Sequence, residues 1–215
     1  MKKNRIVLLL ATIIMFTAMS TAEAKQGFYA GLGAAYNTIN GDFDGNAGLQ
    51  GSSDIIILPD ISNAFGFDLF AGYGVGDRWA IELDLMNSEH DGTWGGMNGT
   101  INYTSFSVNW KYSFDVTGTA QPYVLFGLSS NVLIIKQGAE DTATGQVGDA
   151  TLSGTGLNIG AGVDTYLSPR VSLSVGTVYR YVEYTHAEGV NNSGTIDNGI
   201  DGSGLSFLLT TAFHF

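Results

Sequence analysis

From residue 27 onward, hydrophobic and polar side chains alternate through eight stretches, the period of strands that turn one face to an apolar medium. The first sets Phe28, Ala30, Leu32, Ala34 and Tyr36 against small residues. The second alternates Phe65, Phe67, Leu69, Ala71 and Tyr73 with Gly66, Asp68, Phe70 and Gly72, and the third Trp79, Ile81, Leu83 and Leu85 with Ala80, Glu82, Asp84 and Met86. The fourth carries Phe106, Val108, Trp110, Tyr112 and Phe114 opposite Ser105, Ser107, Asn109, Lys111 and Ser113. A fifth starts at Pro122, where a missing N–H is tolerated; it opposes Val124, Phe126 and Leu128 to Tyr123, Leu125 and Gly127, with the least distinct faces of the eight. The sixth sets Leu157, Ile159, Ala161, Val163 and Thr165 outside and Gly156, Asn158, Gly160, Gly162 and Asp164 inside. The seventh sets Val171, Leu173, Val175, Thr177, Tyr179 and Tyr181 against Ser172, Ser174, Gly176 and Arg180. The last, 205–215, shows Leu205, Phe207, Leu209, Thr211, Phe213 and Phe215 on one face, with Leu208 the one apolar residue among Ser206, Thr210, Ala212 and His214.

The connections alternate in length. Residues 38–62, 87–100, 136–154 and 186–203 read as long polar loops, whereas 74–78, 115–121 and the Ser168-Pro169 turn are short. The pattern predicts an all-β fold: an eight-stranded antiparallel transmembrane β-barrel, an up-and-down meander with long connections outside the cell and both termini in the periplasm. A sheet in lipid tolerates no open edge, so residues 27–37 are expected to close on 205–215. The run Ile55-Ile56-Ile57-Leu58 in the first long connection has three readings: an extension of the second strand, a fold-back plug, or an apolar patch for a partner. Extension is favoured, because Ile is a strong strand former.

Composition agrees. The 215 residues are 44% hydrophobic and only 13% charged, with 30 Gly, 3 Pro and no Cys, against about 25% charged in soluble domains. The absence of Cys excludes disulfide frameworks and thiolate metal sites. Residues 1–24 read as a cleaved export signal: Lys2, Lys3 and Arg5, an apolar core at 6–19 too short to span a bilayer, then Ala22-Glu23-Ala24. The expected mature domain, 25–215, keeps 6 of 9 basic and 19 of 20 acidic residues, a net charge of -13. Twelve of those acidic residues lie in the four long connections, with Lys136 as the single base beside them. Such a surface repels nucleic acid, and repels lipopolysaccharide headgroups unless divalent ions bridge them.

Several stretches together resemble the small bacterial outer-membrane β-barrel superfamily that includes the OmpA transmembrane domain, OmpX and Opa-like proteins. They are 27–31 (GFYAG), 70–73 (FAGY) through 79–83 (WAIEL), 121–124 (QPYV), 160–163 (GAGV) through 168–173 (SPRVSL), and 179–181 (YRY). The resemblance spans the expected mature chain and implies a scaffold shared by adhesins, structural proteins, small pores and a few enzymes. It implies outer-membrane lipid and lipopolysaccharide as surroundings, and periplasmic chaperones and the barrel-assembly machinery as partners. Phe207, Leu209, Phe213 and Phe215 match the terminal aromatic strand by which such barrels are recognised and inserted. No peptidoglycan-binding domain follows Phe215, so a tethering role is not implied.

On the inward face the sequence places Asp68, Glu82, Asp84, Lys111, Asp164 and Arg180. Glu82 and Lys111, on neighbouring strands four or five residues above the short turns, are expected to meet; such a ladder is either a structural network or an ion path. Lipid-modifying enzymes also occur on barrels of this size, and a deacylase needs a Ser and a His at the outer rim with an orienting carboxylate. His186 has Glu183 and Glu188 nearby but is followed by Ala187 and Glu188, without the His-x-Ser arrangement; His90 heads a loop and His214 sits at the periplasmic end. All three read as solvated or interfacial, and no catalytic residue is assigned. Asp42-Phe43-Asp44-Gly45-Asn46 spaces oxygens as a calcium loop begins, but Ala47 and Ser53 occupy the positions that need Gly and Glu. No metal or cofactor is expected. The reading is a non-enzymatic surface protein whose loops meet a host or cell-surface ligand or support envelope integrity. Its alternative is a small passive pore, suggested by inward glycines such as Gly31, Gly33, Gly72, Gly160, Gly162 and Gly176, which leave room for water.

Overall fold

The computed structural model describes residues 27–43, 45–94 and 97–215. The export signal and Asp44 of the acidic turn lie outside the described residues. Twelve strands follow in order: β1 (Gly27–Asn37), β2 (Gly45–Gly48), β3 (Asp54–Leu58), β4 (Asp60–Ile61), β5 (Ala64–Val75), β6 (Trp79–Trp94), β7 (Met97–Ser113), β8 (Ala120–Asp141), β9 (Gln146–Ser168), β10 (Val171–Glu188), β11 (Ser193–Asp201) and β12 (Gly204–His214). No described residue is helical.

Eight of these strands form a closed antiparallel ring. Its order is β1, β5, β6, β7, β8, β9, β10, β12, and β1 returns to β12 in a register running from Tyr29 opposite His214 to Asn37 opposite Ser206. The closure expected between 27–37 and 205–215 is therefore present, and the ring has no edge at membrane depth. Its outer face is greasy: Phe28 is 68%, Phe65 76% and Ile159 65% exposed, with Leu83, Phe126, Val175 and Leu209 among many others open to the surroundings. A continuous apolar surface of this size is unfavourable in water and is what a lipid-facing wall requires. Aromatic pairs mark both rims, Phe28 with Tyr73 and Trp79 with Tyr112 (each 4.8 Å) at the short-turn end and Tyr36 with Phe65 (5.0 Å) at the other.

Inside, four of the glycines make seats for rings. A Cβ at Gly31 would strike the Phe70 ring, and one at Gly72 the ring of Tyr29. At Gly162 and Gly176 a Cβ would come within 2.5 Å of the Tyr123 hydroxyl. The rings lie flat on the wall because the facing strand carries no side chain there.

The long connections are mostly sheet, contrary to the expectation of polar loops. β6 and β7 continue as a hairpin to Trp94 and Met97, β8 and β9 to Asp141 and Gln146, and β11 folds back on β10. The 55–58 run does not extend the second barrel strand. It is β3, paired with β2 on one side and with the outer end of β8 on the other, Asp54 opposite Asp141. The switch occurs where β8 leaves β7 after Ile135 and resumes with a new partner at Ala139, an irregularity that re-aims the strand. β10 makes the corresponding change, from β12 up to Arg180 to β11 from Glu183. A single bridge, Leu49 with Ile196, joins β2 to β11. Thus β8, β3, β2, β11, β10 and β9 make a second, smaller ring above the membrane.

That outer ring has an apolar filling. Ile56, Leu133, Ile135, Leu152, Tyr184 and Ile101 are fully buried in one cluster with Phe43, Leu49, Leu58, Ile196 and Ile200. Their burial, at about 1.5–3 kcal/mol for each large side chain, holds β3 in place, and β2, which local propensity would not make a strand, pairs along it. The long-connection end of the barrel is thereby capped.

Candidate functional site

Below the cap the lumen turns polar, because strand alternation sends every second residue of the wall inward. Even-numbered positions of β6 bring Glu82 and Asp84 inside; β5 supplies Asp68, β7 Lys111, β9 Asp164 and β10 Arg180. All but Lys111 are among the buried charged residues, and the Lys111 side chain is only 12% exposed. Lys111 Nζ donates to Glu82 Oε1 at 3.2 Å and reaches Asp164 Oδ2 at 2.9 Å, and its ammonium lies 4.1 Å from the centre of the Tyr123 ring. The Tyr29 hydroxyl donates to Glu82 Oε1 at 2.7 Å. So Glu82 and Lys111 do meet, and the structure adds Asp164 as a third member that neighbouring-strand logic did not reach. Asp68, Asp84 and Arg180 form a separate group deeper in the barrel. There Arg180 donates to the Ser206 hydroxyl, which donates in turn to Asn37 Oδ1 at 2.5 Å.

These six residues line one cavity of about 70 Å³. Gly74, Gly76, Asp77, Arg78 and Trp79 at the β5–β6 turn also line it, so it opens at the short-turn end. Its mouth is aromatic. His214 stacks on Tyr29 (5.2 Å) and faces Tyr166 (5.2 Å), while its Nε2 lies 3.0 Å from the Ser172 hydroxyl. His214 is thus a partly buried wall of the cup rather than a solvated residue.

The other two histidines differ. His186 is exposed on β10. His90, expected in a loop, is 1% exposed at the outer part of β6, beyond the apolar belt. Its Nδ1–H donates to the Ser62 carbonyl (2.8 Å), which leaves Nε2 to accept from the Ser88 hydroxyl (2.8 Å); burial holds the ring below the ordinary His range. A Ser-His pair therefore exists at the outer rim, but with Ser88 also buried and neither residue lining the cavity, it pins β6 to the chain at Ser62. Continuing the inward parity of Met86 to Ser88 and His90 would have found it.

Two carboxylates clamp the cap. Asp54, 1% exposed, accepts the backbone N–H groups of Asn191 and Asn192 (both 3.1 Å) and the Asn192 side-chain amide (3.3 Å). Asp141 accepts from the Ser53 hydroxyl (2.8 Å), the Ala143 N–H (2.9 Å), the Thr144 hydroxyl (2.7 Å) and the Asn191 side chain (3.2 Å). These bonds, led by those from Thr144 and Ser53, lower the Asp141 carboxyl to about 2. Around the cap the exposed acids include Asp42, Asp60, Glu89, Asp91, Glu140 and Glu188; Lys136 is engaged by Asp149 at 2.7 Å. Among the described residues no group of three or more His, Cys, Asp or Glu is placed to hold a metal ion.

A family model described as the outer membrane protein beta-barrel domain matches residues 8–213. By sequence, no curated protein matches the chain. Among solved structures, Neisserial surface protein A is 19% identical with a TM-score of 0.60, over 88% of this chain and 98% of that one. The outer membrane protein OprG from Pseudomonas aeruginosa is 16% identical with a TM-score of 0.61, over 89% and 97%. Ail, the attachment invasion locus protein of Yersinia pestis, is 14% identical with a TM-score of 0.52, over 88% and 99%. At such identities the likeness is one of fold. The match over nearly the whole chain, with the closed eight-stranded ring and its lipid-facing belt, places this chain in the outer membrane protein beta-barrel domain family, as a barrel of the Gram-negative outer membrane.

Proposed function

We propose that the chain is a non-enzymatic surface protein whose folded outer cap, rather than its lumen, carries its role in surface contact or envelope integrity. One observation carries the reading: the cell-facing mouth is filled by the apolar cluster of Ile56, Leu133, Ile135, Leu152 and Tyr184, so the polar lumen is a cup and not a conduit. The same sheet makes the cap a rigid platform with a rim of exposed carboxylates. Its chemistry favours a basic protein surface, or lipopolysaccharide phosphates bridged by divalent cations, and disfavours nucleic acid. Two of the structural relatives are named as a surface protein and an attachment protein, which is compatible with this role. Replacing residues 45–58 with a short Gly-Ser linker should keep heat-modifiable migration on gels, the mark of a folded barrel, and abolish binding of expressing cells to a basic surface. Unchanged binding would place the role outside the cap.

A further inference from the structure

The deep part of the cup has an unbalanced charge. Asp68, Glu82, Asp84 and Asp164 face only Lys111 and Arg180, and at the rim Asp77 and Arg78 cancel, so the lining carries a formal excess of two negative charges. The excess divides equally between two groups. Lys111 is shared by Glu82 and Asp164, which leaves Asp68 (2% exposed) and Asp84 (9% exposed) with Arg180. Asp68 and Asp84 sit diagonally on β5 and β6, Asp84 opposite Phe70 and Asp68 opposite Met86, and their carboxyls face each other. Ionised carboxyls are acceptors only. Yet Oδ1 of each is buried without a donor among the described residues, while Arg180 spends one of its N–H groups on Ser206. Buried acceptors facing each other need a donor between them, and buried charge needs a counter-charge.

We propose that the cup binds a small primary ammonium cation from the periplasm, seated between Asp68 and Asp84. One positive charge and three N–H donors meet both unpartnered oxygens at once. A single proton shared by the pair would balance the same one charge through a single O–H, whereas an ammonium brings three N–H donors to the two carboxyls. The donor set does not suit a divalent metal, since no cluster of three or more ligating side chains is present among the described residues. The volume of about 70 Å³ admits a head group with a short alkyl stem, and the rings of Tyr29, Tyr166 and His214 flank its path from the periplasmic mouth. The apolar cap above allows entry from one side only.

The test titrates the folded full-length mature barrel in detergent with methylamine hydrochloride at pH 7, by calorimetry, with sodium chloride at equal ionic strength as the control. Saturable methylamine binding is expected, weakened at least about tenfold in Asp68→Asn and in Asp84→Asn and unchanged in Glu140→Gln on the outer surface. If an Asn variant fails to fold, a methylamine-dependent rise in the thermal midpoint of the unsubstituted protein, absent with sodium, stands in its place. Equal binding of sodium would overturn the proposal. So would an absence of saturable methylamine binding; an infrared carbonyl band of a protonated carboxyl that disappears in Asp68→Asn would then assign the bridge to a proton.

Discussion

Replacing Lys111 by Gln removes the one cation that Glu82 and Asp164 share, at 3.2 and 2.9 Å, and leaves two carboxylates in a lumen where their side chains are only 10% and 11% exposed. Breaking a buried pair from one side costs about 3–5 kcal/mol, because the remaining charge stays desolvated. The cup opens to the periplasm, so about 3 kcal/mol is the expectation. The triple change Glu82→Gln, Lys111→Gln and Asp164→Asn keeps the shapes and removes every charge. It loses only hydrogen-bond strength, about 1–2 kcal/mol. The triple variant is therefore expected to be more stable than the single one, a non-additivity in the range of about 0.5–3 kcal/mol found for contacting residues. Urea unfolding in lipid vesicles, followed by tryptophan fluorescence, reads all the variants. If Lys111→Gln costs no more than the ~0–1 kcal/mol of a solvated pair and the changes add, water screens the triad and its charges are not desolvated.

Other consequences are equally direct. Tyr29→Phe removes the 2.7 Å donor to Glu82 and should cost about 1–3 kcal/mol in the same assay. Gly162→Ala puts a Cβ within 2.5 Å of the Tyr123 hydroxyl and 2.6 Å of the Val175 carbonyl, so a loss of about 1–3 kcal/mol from overpacking is expected. The Asp141 carboxyl is lowered to about 2 in the folded cap from an unfolded value of ~3.9. The unfolded form binds the proton more readily, so the contribution of Asp141 to the cap is complete above pH ~4 and lost as pH falls towards 2. Hydrogen exchange of β3 amides should accelerate over that interval, and Asp141→Ala should abolish the pH dependence. Phe215 donates its N–H to the Phe28 carbonyl (3.0 Å) and packs on Phe213 (5.2 Å) at the closing seam. Phe215→Asp should lower the assembled barrel in the outer membrane without reducing export, as read by heat-modifiable migration in membrane fractions.

The barrel was legible because lipid on one side and a narrow lumen on the other impose period-two alternation on each ring strand. Even the ambiguous fifth strand follows it, with Val124, Phe126 and Leu128 out and Tyr123 and Leu125 in. The cap was not legible. β2 is Gly-Asn-Ala-Gly, which has no strand propensity, and its place in the cap depends on pairings as distant as that of the adjoining Leu49 with Ile196. A hairpin stabilised by partners from four other segments leaves no local pattern. The Glu82–Lys111 contact followed from adjacent strands, whereas Asp164 reaches Lys111 past β8 only because the ring is narrow. Small inward glycines suggested water, but each count of volume has to include the ring seated opposite, as with Tyr29 on Gly72.

If the cap closes the barrel towards the cell exterior, planar-bilayer recording of the folded, unsubstituted protein must show it. With the cap core in place, no reproducible conductance steps are expected at moderate voltage near neutral pH; steady, repeatable steps under those conditions would show a continuous aqueous path past Ile56, Leu133 and Tyr184 and refute the closure.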